Sequence, residues 1–251
     1  MKRMPIILAG ILLAAAGCSQ RADYVSSREM KTCRDFFNHY LAPESFPFSF
    51  VYAGTAFPGQ GEGLSALEGD TDKGAFEREW RYDDGLKVTL KGRTYSDYPA
   101  VEWTLWIKNE GEERSKPITD LLAFNGIFQV EDTAVVHTIE GDYCSEQSYT
   151  PHDYTIAPGV SEEFHPASAM IGGKEYLTGK SSDGPRGFPY WNIQTGKDKG
   201  MIMALGWPGN WMAEVSSDSS SELSIRAGQK VFNACLEAGE EVRTPLVCLL
   251  F

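Results

Sequence analysis

Basic residues are scarce in this sequence. Across 251 residues, 23 Lys and Arg stand against 35 Asp and Glu, a formal charge of −12. Neutralising a phosphate backbone needs a basic surface, so a nucleic-acid partner is excluded. No run of about twenty apolar residues occurs, so no ordinary membrane-spanning helix is expected. There is no Cys-x-x-Cys pair, which removes a zinc knuckle and a thioredoxin-like dithiol. His39, His137, His152 and His165 lack the matched spacing of metal ligands, so neither a metal nor another cofactor is expected. Also missing are an internal repeat of fixed period and the strand–helix alternation of an α/β chain. Glycine and proline, at 25 and 13 residues, are plentiful, and 42% of the chain is hydrophobic. That is the composition of a globular protein made of strands joined by turns.

The N-terminus reads as a leader. Lys2 and Arg3 precede an apolar stretch, Ile6 to Ala16, that is too short to cross a bilayer comfortably. Ala15-Ala16-Gly17-Cys18 then resembles a bacterial lipobox, although Ala15 stands where most carry Leu. This divides the chain into a signal peptide (1–17), a short tether (18–23) and one folded domain (24–251). Acylated at Cys18, the protein would sit in the bacterial cell envelope, lipid-anchored to the membrane and facing the periplasm or the cell surface. An ordinary secretory signal cut nearby is the alternative, and both readings export the chain. Export permits disulfides. Cys33, Cys144, Cys235 and Cys248 allow three connectivities, among which the sequence does not choose. Cys235 and Cys248 lie in apolar strand-like runs and also fit buried thiols.

Ser26-Ser27 can cap a short helix in which Met30, Cys33, Phe37 and Tyr40 recur at helical spacing, with Pro43 and Pro47 stopping it. Beyond it the period is two. Glu77 to Tyr82, Asp83-Asp84-Gly85 and Leu86 to Leu90 form a hairpin signal. Val101, Trp103, Leu105 and Ile107 fall on one strand face, and Asn109-Glu110-Gly111 ends that strand in a turn. Trp106 points the other way, so a loop or the helix is expected to cover that face. Further strands are expected over 46–53, 120–130, 133–140, 187–195, 200–207, 210–216, 222–227, 230–236 and 245–251, about a dozen in all, as in a large antiparallel sandwich. His152 and His165 are assigned to a Pro-flanked loop region.

The densest segment is 179–211. Aromatic faces stack on the C–H faces of sugars, and Asp and Asn bond hydroxyls. Trp191, Trp207 and Trp211 beside Asp183, Asn192 and Asn210 would suit a carbohydrate site; equally, the indoles would suit a sandwich core. Three blocks of sequence carry a resemblance. They are Tyr98-Pro99-Ala100-Val101-Glu102-Trp103 leading to Asn109-Glu110-Gly111, Ser181 to Asn192 followed by Gly206 to Trp211, and Gly239 to Pro245. In this order they resemble the N-terminal β-supersandwich domain of the α-galactosidase-like enzymes of glycoside hydrolase family 36.

The resemblance implies an all-β fold, a galactose-mutarotase-like supersandwich of two large antiparallel sheets. It further implies a non-catalytic domain, truncated or free-standing, packed on a (β/α)8 catalytic barrel in cis or in trans, with a galactoside-like carbohydrate as the related ligand. The six residues Asp183, Trp191, Asn192, Trp207, Asn210 and Trp211 then become candidates for sugar binding or for docking the barrel. No catalytic residue transfers, because the family's two catalytic Asp lie in the barrel. Two other function classes stay open: a sugar-binding surface lipoprotein without chemistry, and a mutarotase-like epimerase with His137, His152 and Glu102 as the histidine pair and carboxylate.

Overall fold

A computed structural model describes residues 25–42, 45–59, 65–70, 74–139, 149–166, 186–219 and 221–251. The leader, Cys18, Cys144 and Asp183 lie outside the described residues. Helix α1 (Ser27–Tyr40) opens with a capping box: the Ser26 hydroxyl accepts from the Glu29 amide, and the Glu29 carboxylate accepts from the Ser26 amide. Two donors at the helix start are thereby satisfied.

Two sheets follow. The first runs β11 (Arg186–Gly187), β10 (Val160–Pro166), β14 (Trp211–Ser219), β15 (Glu222–Gln229), β7 (Ile118–Gln129), β1 (Ser49–Tyr52), β2 (Thr55–Ala56), with β16 (Asn233–Ala234) also on β7. The second runs β3 (Ser65–Asp70), β4 (Ala75–Arg81), β5 (Leu86–Thr94), β6 (Ala100–Asn109), β18 (Leu246–Leu250), β13 (Lys199–Gly206), β12 (Tyr190–Gly196), β8 (Ala134–Ile139), β9 (Pro151–Ile156), with β17 (Glu241–Arg243) also on β6. Pairing is antiparallel except for the two-residue contact of β10 with β11. The fold is thus the expected all-β sandwich with a short N-terminal helix.

Alternation along the strands builds the core. Val101, Trp103, Leu105 and Ile107 are fully buried between the sheets, and the Trp103 indole donates across to the Ala123 carbonyl of β7 at 3.1 Å. Helix α1 plugs this interior. Phe36 packs on Trp103, Phe124, Phe128 and Phe251 with ring centroids 5.2–6.4 Å apart. The Tyr40 hydroxyl accepts from the Ile127 amide at 2.8 Å and donates to the Ile127 carbonyl. It thereby satisfies β7 beyond the end of β1.

Three expectations change. Of the two covers expected for the Trp106 face, a loop or the helix, the helix is ruled out, since it packs on the Trp103 side. On that outer face Thr89 and Thr104 are buried and Trp106 is half-buried. The Pro-flanked region holding His152 and His165 is strand, β9 and β10; Pro151 and Pro166 sit at strand ends, where a missing donor is tolerated. The strand expected over 230–236 is only the two-residue β16. Cys33, Cys235 and Cys248 are free thiols, so none of them forms a disulfide; burial pushes the Cys33 thiol up to about 11.

Candidate functional site

The shared motifs are first of all structural fittings. The Asn109 side chain is buried; its amide donates to the Glu113 and Leu236 carbonyls at 2.7 and 2.8 Å, and its oxygen accepts from the Gly111 amide at 3.0 Å. Two turns press together here. Gly85 has φ +89°, and a Cβ on it would lie 2.5 Å from the Gly111 amide nitrogen. Thr244 fills the step between β17 and β18, both paired to β6. Its hydroxyl accepts from the Leu105 amide at 3.0 Å, and its own amide donates to the Leu105 carbonyl. Glu110 sits in an ion network with Lys87, Arg81 (2.6 Å) and Lys108 (3.5 Å). The ammonium of Lys87 first, then the guanidinium of Arg81, hold its carboxyl down at about 2.

The tryptophans do not gather at an edge. Trp191 on β12 and Trp211 on β14 are 1% and 2% exposed, and they meet edge to face, 5.4 Å apart, across the sandwich. Phe164 of β10 closes a third side of Trp191 at 6.0 Å. Both are core residues, so neither offers a face to a sugar or a barrel. Of the two readings the sequence left open for these indoles, Trp191 and Trp211 take the sandwich core. Trp207 is half-buried, with the Arg243 guanidinium over its ring at 5.4 Å. Only with Gly at position 209 does the turn pass so close, since a Cβ there would lie 2.6 Å from the Trp207 ring nitrogen. Asn192 and Asn210 are exposed, on the outer face of β12 and in the turn before β14.

The histidine–carboxylate set of a mutarotase is not assembled either. Register pairs His137 with Asp153 and Thr138 with His152, so the two histidines point to opposite faces of the sheet. Glu102, four strands away from β8, accepts from the Tyr95 hydroxyl at 2.9 Å.

What the strands do bring together lies on the outer face of the ten-stranded sheet. Asp153, His137, Asn192, Ile202 and Leu250 are successive partners across β9, β8, β12, β13 and β18. His137 Nδ1 is 2.7 Å from Asp153 Oδ1, and its Nε2 is 3.4 Å from Gln194 Oε1. Two adjoining depressions of about 350 and 420 Å³ share His137, Asn192 and Ile202. Sequence reasoning took Asn192 with Trp191 and so missed this row. The signal was present in the alternation: Trp191 and Ile193 share one parity, Tyr190, Asn192 and Gln194 the other.

No protein-family model matches the sequence, and no curated protein matches it. Solved structures do. The galactosidase domain of an alpha-galactosidase-sucrose kinase aligns over 82% of this chain with TM-score 0.54 and 17% identity. A family 36 alpha-galactosidase, AgaB from Geobacillus stearothermophilus, aligns over 82% with TM-score 0.52 and 18% identity. The alpha-galactosidase from Lactobacillus brevis aligns over 82% with TM-score 0.54 and 15% identity. This chain spans only about 30% of those proteins' lengths. The fold is therefore shared with one part of each enzyme, as expected for its N-terminal sandwich.

Proposed function

We propose that this chain is the non-catalytic β-supersandwich unit of an exported, envelope-anchored α-galactosidase-type glycoside hydrolase, and that it acts by packing on a (β/α)8 barrel in cis or in trans. The observation that carries this is the fold match over 82% of the chain to about 30% of each α-galactosidase. The order of the motifs supports it further. Asn109, Gly111, Thr244 and the Gly206–Trp211 turn all act as fittings of the sandwich, which is what a supporting domain requires. Retaining hydrolysis needs two carboxylates about 5 Å apart across the sugar, and in the resembling enzymes the barrel supplies them.

The test is purification from the protein's own cells. A tagged copy made there, assayed on an aryl α-galactoside, is expected to carry hydrolysing activity and a barrel-containing polypeptide. The eluate of the same cells bearing the tag alone is the control. An eluate that hydrolyses no more than this control would contradict the reading.

A further inference from the structure

We propose that the trough on the outer face of the ten-stranded sheet binds a neutral saccharide through His137, Asn192, Gln194 and Tyr190, independently of any barrel. The first argument is a polar floor with unspent hydrogen-bonding capacity. His137 Nδ1 lies 2.7 Å from Asp153 Oδ1, which fixes the orientation of the imidazole in the trough. Gln194 donates from Nε2 to the Gly196 carbonyl at 3.1 Å, which turns its Oε1 toward His137 Nε2 at 3.4 Å. The Asp153 carboxylate and the Gln194 amide oxygen keep further lone pairs that can accept from hydroxyls. The exposed Asn192 carboxamide, one strand spacing from His137, has no side-chain hydrogen-bond partner among the described residues and adds both a donor and an acceptor.

The second argument is an aromatic wall. Tyr149, Phe188 and Tyr190 stack in a ladder, with centroids 5.8 and 5.5 Å apart and interplanar angles of 18° and 11°. Tyr190 borders the trough and is 41% exposed. Phe188 holds its ring in place, so little side-chain entropy remains to be lost on binding. Ile202, 44% exposed, supplies an apolar spot in the floor.

Together these choose the ligand class. An anion would meet the Asp153 carboxylate on a protein of charge −12. An apolar ligand would cover the Asn192 carboxamide and the Asp153 carboxylate without replacing their water. A pyranose places C–H groups against Tyr190 and Ile202 and hydroxyls against the floor.

The experiment is an NMR titration of the full chain carrying Cys18→Ser, with methyl α- and β-glycosides of galactose, glucose and mannose as probes. At least one is expected to bind. Tyr190→Ala and Asn192→Ala, both at exposed positions, should each weaken that binding by about tenfold. Asn210→Ala, in the turn where residue type first placed a sugar site, should leave it unchanged. Absence of binding across the panel, or binding that ignores Tyr190→Ala and Asn192→Ala, would overturn the proposal. Neither result bears on the barrel reading, which the native purification tests separately.

Discussion

Asn109 illustrates how a single side chain holds this fold. It answers two carbonyls and one amide at the junction of β6 with the Gly85 turn and the 236–240 segment. Asn109→Ala would leave those groups unpaired in a buried site, at a cost of about 2–4 kcal/mol by urea denaturation. Glu110 next to it titrates at about 2 in the folded state, against an ordinary 4.5. A lowered carboxylate pKa stabilises fully above the unfolded value and is lost as pH falls through the folded one. Stability should therefore decline from about pH 4.5 toward pH 2, and Glu110→Gln should flatten that limb in denaturation midpoints measured across it. The sequence marked both residues, because Asn-x-Gly after an alternating run signals a strand-ending turn. It left Trp191 and Trp211 between a sugar site and the core, because residue type says that an indole is large and amphipathic, not which sheet face it takes. Strand parity separates Trp191 and Ile193 from Tyr190, Asn192 and Gln194, and packing against the facing sheet decides which set is buried.

At the scale of elements, legibility followed local signal. Helix α1 and the β4–β5 hairpin carry their caps and turns in the sequence: Ser26 with Glu29, and Asp83-Asp84-Gly85. Strands β9 and β10 do not. β9 is the outermost strand of its sheet and shows only weak burial alternation, while Pro151 and Pro166 read as loop punctuation. What the sequence could not give for α1 was its destination. The helix inserts Phe36 among rings from both sheets and fills the end of the core, so it belongs to the sandwich interior. Phe36→Ala should cost about 3–5 kcal/mol, the range for deleting a buried aromatic ring, measured by thermal or urea unfolding. A loss under about 1 kcal/mol would show that the helix is merely laid on the surface.

For the whole molecule, the sandwich supplies a scaffold whose known-looking motifs serve its own packing. Its ten-stranded sheet exposes Tyr190, Asn192 and Ile202 on the outer face, while Trp191 and Trp211 are buried. In the proposed reading the lipobox-like segment anchors the chain, so Cys18→Ser should move the protein from the membrane to the aqueous fraction, because stable attachment needs acyl chains on that thiol. Unchanged membrane recovery would show a different mode of association. In the proposed reading the sandwich supports catalysis without performing it. The most direct measurement is turnover of an aryl α-galactoside by the purified recombinant chain alone. The account predicts no hydrolysis above the uncatalysed rate, since the paired carboxylates of the retaining mechanism are assigned to a barrel. Measurable turnover abolished by one Asp→Asn substitution in this chain would contradict it.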